Sequence, residues 1–225
     1  SVGGANLSGN FNTIAVNART TFVNNCKNLI TTYNLVGIDI DWEFPMGSTA
    51  VENHRLLMQD LANGVHAMSG GKKVGMAVGG EYPGASNPDH LQYCDYRTIT
   101  YVDYVNVMTY DYPSIPAYGS GPHSALSNST TSMEAWQAHD GPTNPGNPWS
   151  KFLIGVPFYG RNAARTTEPA FNTLSGPNQT TALSTGFASN AYFNSQAEIE
   201  GKVTYIMNKG GAGIIIWDLG QDVNG

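Results

Sequence analysis

The sequence predicts an α/β fold, a parallel sheet wrapped by helices, on three observations. Short Val- and Ile-rich runs alternate with segments of helical periodicity, the runs recur at intervals of roughly 30 to 60 residues, and each stops at Gly, Pro or Asp. Ser1-Val2-Gly3-Gly4 reads as the end of a first strand. Phe22, Val23, Cys26, Leu29, Ile30 and Tyr33 then recur at the spacing of an amphipathic helix. A second strand follows at Leu35 to Pro45, and Leu57, Met58, Leu61, Val65 and Met68 mark the helix after it. Further strands are read at Lys73 to Val78, Tyr101 to Tyr110, Phe152 to Phe158 and Ala212 to Trp217. Ile199, Val203, Ile206 and Met207 mark a late helix, and the Asn-, Thr- and Ser-rich stretch from Asn162 to Asn194 reads as a long loop.

The second strand carries the chemistry. In Ile38-Asp39-Ile40-Asp41-Trp42-Glu43-Phe44 successive side chains point to opposite faces, so Asp39, Asp41 and Glu43 share one face and the apolar residues the other. Neighbours two apart on a strand lie roughly 6.5 to 7 Å from each other. In a poorly solvated site, like charges so spaced raise at least one pKa and hold a proton near neutrality, which a general acid requires. The competing reading, an edge strand with a solvated acidic face, fits less well, because such a face usually mixes Lys, Thr or Ser among its acids.

The acids, Met108, Tyr110, Tyr159 and Trp217 all fall at the carboxyl ends of strand runs, where a closed β/α barrel gathers its functional groups. A doubly wound open sheet is the alternative. It calls for a Gly-rich phosphate loop, and neither Gly70-Gly71 nor Gly79-Gly80 has that pattern.

Composition sets outer bounds. The chain has 225 residues, 40% hydrophobic and 12% charged, enough for one globular domain over residues 1–225. A net charge of −6 argues against nucleic acid or an anionic membrane as partner and suits a neutral polymer. Cys26 and Cys94 lack metal-ligand spacing, and Cys26 sits in an apolar helical stripe as a buried free thiol. The five histidines are scattered, no apolar run reaches the ~20 residues of a membrane span, and no metal or cofactor is implied.

The acidic strand resembles the DxxDxDxE signature, commonly DGxDxDWE, of the family 18 glycoside hydrolases, which include chitinases and endo-β-N-acetylglucosaminidases. Ser1-Val2-Gly3-Gly4 is similar to the SxGG that ends that family's third barrel strand, and Met108-Thr109-Tyr110-Asp111 to the MTYD of its sixth. Gly155 to Arg161 and Gly213 to Asp218 resemble its seventh- and eighth-strand segments. Val36 replaces the first Asp of the pattern, and Phe44 stands where the family often has Tyr.

The resemblance implies a (β/α)8 TIM barrel. Six strand ends match its third to eighth strands, so the expectation is a partial barrel lacking the first two βα units and the last helix, with open edges and marginal stability alone. It implies retaining, substrate-assisted hydrolysis of β-1,4-linked N-acetylglucosamine polymers, chitin above all, by a secreted enzyme that is a monomer in the complete protein. Glu43 would be the general acid and base, Asp41 the acceptor for the substrate's acetamido N–H, and Asp39 its proton-sharing neighbour. Tyr110 would hold the acetamido carbonyl, or else be a core aromatic. Met108, Asp111, Tyr159 and Arg161 would line the cleft, although Arg161 also suits pairing with a surface acid. Trp217 would be the platform under the reacting sugar, or else a capping core residue.

The 162–194 stretch looks too short to hold the folded insertion of some family members, which implies a shallow groove and internal cleavage. Trp136, Trp149, Tyr112 and Tyr118 are placed in loops after the Tyr101–Tyr110 strand and left without a role. An endo-β-N-acetylglucosaminidase acting on N-glycan cores shares the acidic strand, and the abundance of aromatic residues favours the polymer. A non-catalytic chitin-binding lectin is the alternative of another class, and retention of Glu43 argues against it.

Overall fold

The structure, a computed structural model, describes residues 1–81, 90–113, 121–139 and 146–222. They fall into two compact units, one of residues 1–79, 90–106, 137–139 and 146–151, the other of residues 80–81, 107–113, 121–136 and 152–222.

The first unit holds β1 (Val2–Gly3), α1 (Phe11–Asn17), α2 (Arg19–Thr32), β2 (Gly37–Asp41), α3 (Ser48–His66), β3 (Lys73–Gly79), α4 (Thr98–Tyr101) and the start of β4 (Tyr104–Met108). β1 runs parallel to β2 with Val2 opposite Ile40, and β2 parallel to β3 with Gly37 opposite Lys73. Each of these strands lies beside its successor, an order that a barrel and one half of a doubly wound sheet share. Val23, Cys26 and Ile30 of α2, Leu57, Met58, Leu61 and Val65 of α3, and Ile38, Ile40, Val74 and Met76 of the strands form the buried core. Cys26 is free and buried, its thiol pushed up to about 11 by desolvation.

Two boundaries move from their sequence-based positions. α3 begins at Ser48, nine residues before its apolar stripe, because its first turns bury polar groups instead. His54 packs edge-on to Trp42 at 5.7 Å, and Arg55 is held by Glu52 and Tyr101. The strand read from Tyr101 starts at Tyr104. Before it, Lys151 Nζ donates to the carbonyls of Ile99 and Val102 and fixes the short helix α4, while Asp103 accepts the Val74 N–H and aligns the entry to β4 with β3.

The second unit carries the end of β4, α5 (Leu126–Gln137, all but its last residue), β5 (Phe152–Pro157), α6 (Gly176–Thr185), β6 (Phe187–Ala188), β7 (Ala191–Tyr192), α7 (Gln196–Asn208) and β8 (Gly213–Trp217). β5 and β8 are parallel from Leu153 opposite Gly213 to Pro157 opposite Trp217. α7 opens on a full capping box, with Ser195 and Glu198 satisfying each other's backbone N–H.

The segment 162–194 is not the long loop its composition suggests. It folds α6 and an antiparallel hairpin of β6 and β7 turned at Ser189 and Asn190, both with positive φ. These close over a small core of Leu174, Ala182, Ala188, Ala191 and Phe193. The inference of a shallow groove from an unstructured segment therefore falls away. Trp136 and Tyr112 are likewise no groove residues: Trp136 lies within α5, and both are fully buried. Trp149 is half-buried in a 3-10 turn, and Tyr118 lies outside the described residues.

Lys202 of α7 has no exposed surface. Its ammonium donates to Ser124 Oγ at 2.6 Å, Gly155 O at 2.9 Å and Asn194 Oδ1 at 3.0 Å. Burial pulls its pKa down to about 7, opposed by the charge of Glu198. Lys202→Met keeps the apolar stem and removes the buried ammonium that these acceptors share, leaving Gly155 O with Thr109 Oγ1 at 2.8 Å, so it is expected to lower unfolding stability by about 2 kcal/mol, read as a reduced urea midpoint.

Candidate active site

In the first unit the acidic face is built from β2 outward. Ile38, Ile40 and Trp42 are buried, and Trp42 stacks on Phe11 at 5.4 Å, which fixes the alternation that puts the carboxylates on the other side. β2 ends at Asp41, so Glu43 lies just beyond the paired strand. Phe44, past the cis Glu43–Phe44 peptide, packs on His90 and Tyr93.

Asp39 is held from two sides. Ser1 Oγ donates to its Oδ2 at 2.7 Å and Asn106 Nδ2 to its Oδ1 at 2.8 Å. Gly75, opposite Asp39 in the register, makes room for this pair, since a Cβ there would lie 2.7 Å from Asp39 Oδ1. Burial raises the Asp39 pKa, and hydrogen bonds from the Ser1 hydroxyl and Asn106 pull it back only in part.

Asp41 is 6% exposed. Its pKa is raised to about 6, first by burial and then by the charge of Asp39, with a hydrogen bond to Glu43 acting in the opposite direction. Its Oδ1 has no hydrogen-bond partner among the described residues. Asp41 is thus coupled to both neighbours, its pKa raised by the Asp39 charge and lowered by the hydrogen bond to Glu43.

The segment after β1 sits directly on this series. Gly3 takes φ +116°, and a Cβ there would overlap the Asp41 carbonyl oxygen, so only glycine permits the approach. Gly4 N–H donates to Asp41 O at 2.8 Å.

In the second unit the residues at the end of β4 and after β5 converge on Asp111. Tyr159 OH donates to Asp111 Oδ1 at 2.5 Å, and Arg161 Nε lies 2.9 Å from the same oxygen. Arg161 also pairs with Glu168, an acid at the surface, as one of its two expected uses had it. Asp111 has φ +61°, and its N–H donates to His123 Nδ1 at 3.2 Å. Burial pulls the Asp111 carboxyl up, but His123, Tyr159 and Arg161 outweigh it and hold the group below the ordinary carboxylate range. Burial and the Asp111 charge push the Tyr159 phenol well above its usual value, so it remains a donor.

Tyr110 is buried with its ring edge-on to Tyr159 at 6.3 Å. Met108 closes β4 half-buried, and Trp217 closes β8 with 49% of its surface exposed. Its indole is exposed at the strand end and not packed in the core of the described residues.

The structure therefore brings Asp39, Asp41 and Glu43 together in one unit, and Tyr110, Asp111, Tyr159 and Arg161 in the other. Sequence reading missed Ser8 and His123, whose buried contacts to these residues are long-range. Among the described residues no cluster is suited to a metal ion, and no helix is long and apolar enough to cross a membrane.

Residues 1–222 match the family described as Glycosyl hydrolases family 18. The chain belongs to this family. It is 28% identical over 180 residues, 74% of its length, to Chitinase 1 of Aphanocladium album. It spans about two fifths of the length of that relative and of Chitinase A1 of Niallia circulans, and less of several others.

Among solved structures, a class V chitinase mutant from Cycas revoluta in complex with (GlcNAc)3 superposes with a TM-score of 0.74 at 20% identity, covering 98% of this chain and 74% of that one. A chitinase-like agglutinin from Robinia pseudoacacia superposes with a TM-score of 0.71 at 24% identity, covering 100% of this chain and 75% of that one. These likenesses establish the (β/α)8 TIM-barrel type of fold expected from the sequence, and the parallel strands of each unit agree with it. A chitinase and a chitinase-like agglutinin share this architecture, so the chemistry of the chain rests on its own residues.

Proposed function

We propose that this family 18 chain carries the catalytic apparatus for retaining cleavage of β-1,4-linked N-acetylglucosamine polymers, with chitin as the substrate class. One observation carries the reading: Asp39, Asp41 and Glu43 stand in sequence on one face, with Asp41 raised to about 6 and hydrogen-bonded to Glu43. A solvated edge strand does not hold a proton there. The sharing of a proton along the series is what a site needs when one carboxyl must be an acid and its neighbour a base.

In this reading Glu43 protonates the glycosidic oxygen and then activates water. The substrate's 2-acetamido oxygen takes the place of a protein nucleophile. Asp41 accepts the acetamido N–H and stabilises the oxazolinium charge, while Asp39 shares its proton and releases Asp41 to change partner. Tyr110 donates to the acetamido carbonyl. Met108, Asp111, Tyr159 and Arg161 line the sugar site, and Trp217 offers its exposed face to a pyranose.

The proposal includes one catalytic domain over residues 1–225, a secreted location suited to an insoluble substrate, and action as a monomer. Neither nucleic acid nor membrane is a partner, in keeping with a net charge of −6.

The experiment compares hydrolysis of an N-acetylchitooligosaccharide with that of its fully deacetylated counterpart. Acetamido assistance predicts cleavage of the first and none of the second; equal rates would refute it. Internal cleavage predicts a mixed series of products from the first minutes, whereas a single released disaccharide would mean exo action. Binding without cleavage would place the chain with the agglutinin.

A further inference from the structure

We infer that Ser8 is a positioning residue for the acidic series, a hydroxyl pin that sets the backbone between Asp41 and Glu43. Ser8 comes from outside the acidic strand, 35 residues from Glu43, in a 3-10 turn after β1. It is buried, and its single hydroxyl serves three backbone groups. Its Oγ accepts the Glu43 N–H at 2.9 Å and donates to Gly4 O at 2.9 Å, with Asp41 O at 3.2 Å sharing the same proton.

A hydroxyl is the side-chain group of this size that both accepts and donates, so it bridges an N–H to carbonyls without a water. The need for it follows from where β2 ends. Asp41 is the last strand residue, so Glu43 N–H lies past the ladder, and Ser8 Oγ is the acceptor that this donor finds.

The pin is rigid because its own seat is rigid. Gly4 N–H donates to Asp41 O at 2.8 Å, so the segment that carries Ser8 is anchored to the same carbonyl that Ser8 touches. Phe11, three residues on, stacks on Trp42 between the two acids. Ser8 touches neither substrate nor reacting atoms in this reading. It acts through Glu43, whose carboxyl must meet a glycosidic oxygen within a few tenths of an ångström, and a misplacement of 1 Å costs about a hundredfold in rate.

The inference rests on Glu43 being the acid, so the experiment separates the two claims. Wild type, Ser8→Ala, Ser8→Thr and Glu43→Gln are compared in the full chain on N-acetylchitotetraose, with hydrogen exchange of the Glu43 amide measured on the same proteins. Ser8→Ala is expected to lower kcat by about ten- to a hundredfold with KM within about twofold and to deprotect the Glu43 amide while amides of β2 and β3 keep their protection. Ser8→Thr, which keeps the hydroxyl, is expected to restore both.

Wild-type kcat in Ser8→Ala beside an inactive Glu43→Gln would overturn the role of Ser8 and leave that of Glu43 standing. So would equal losses in the Ala and Thr variants with the Glu43 amide still protected. Full activity in Glu43→Gln, or none in the wild type, would overturn the assignment of Glu43 and the inference with it.

Discussion

Glu43→Gln is expected to lower kcat/KM on N-acetylchitooligosaccharides by about 10²- to 10⁴-fold, the range that a positioned acid and base contributes. Glutamine keeps the shape of the side chain and the backbone N–H bond to Ser8, so the loss is one of proton transfer and not of folding. Ground-state binding uses groups the substitution does not touch. The fall therefore belongs in kcat, with KM near the wild-type value and an unchanged thermal midpoint. Steady-state kinetics beside a melting curve separates the cases. A variant that keeps more than a tenth of wild-type kcat would remove Glu43 from the chemistry.

Asp41→Asn is expected to move activity and stability in opposite directions. Above its folded-state pKa the wild type carries a buried charge that folding disfavours, because burial and the neighbouring Asp39 charge raise Asp41 from 3.8 to about 6. The native state binds the proton more tightly than the unfolded chain, so stability falls as pH rises through the window from about 4 to 6. The full penalty is present above it. A shift of this size corresponds to on the order of 3 kcal/mol.

Asparagine removes the charge. The variant is expected to be more stable than wild type by on the order of 1 to 3 kcal/mol at pH 7.5, and equal to it at pH 3, where Asp41 is protonated in both states. Urea midpoints at the two pH values check this. The same variant is expected to lose about a hundredfold or more in kcat, since in the proposed mechanism a neutral amide neither stabilises the oxazolinium charge nor exchanges a proton with Asp39. A variant less stable than wild type at pH 7.5 would mean that the Asp41 carboxylate is well compensated. Its place as the strained member of the series would then be wrong.

What was legible in the sequence follows from covalent spacing. Strand period fixed Asp39, Asp41 and Glu43 to one face before any partner was known. The six expected strand ends are all strands in the structure.

The misses have physical causes of two kinds. The 162–194 segment hides its core in alanines: Ala182, Ala188 and Ala191 are buried, yet small neutral residues among Asn, Thr and Ser leave no apolar stripe. Its punctuation was present all the same, with Pro177 in the first turn of α6 and Gly186 left-handed at its end. Ser8 and His123 gave no local signal, because each acquires its role through a contact far along the chain: Ser8 with Glu43, and His123 with the carbonyl of Tyr159. His123 looked like one of five scattered histidines until burial placed it against Asp111.

The measurement that bears most directly on the proposed mechanism is the anomeric configuration of the first product. Proton NMR during the first turnovers on N-acetylchitopentaose is expected to show the new reducing end as the β anomer, with α appearing only at the rate of mutarotation, because the acetamido group and then water each invert the anomeric carbon. An α anomer from the outset would mean direct attack by water and would contradict the acetamido-assisted chemistry assigned to Asp41 and Glu43.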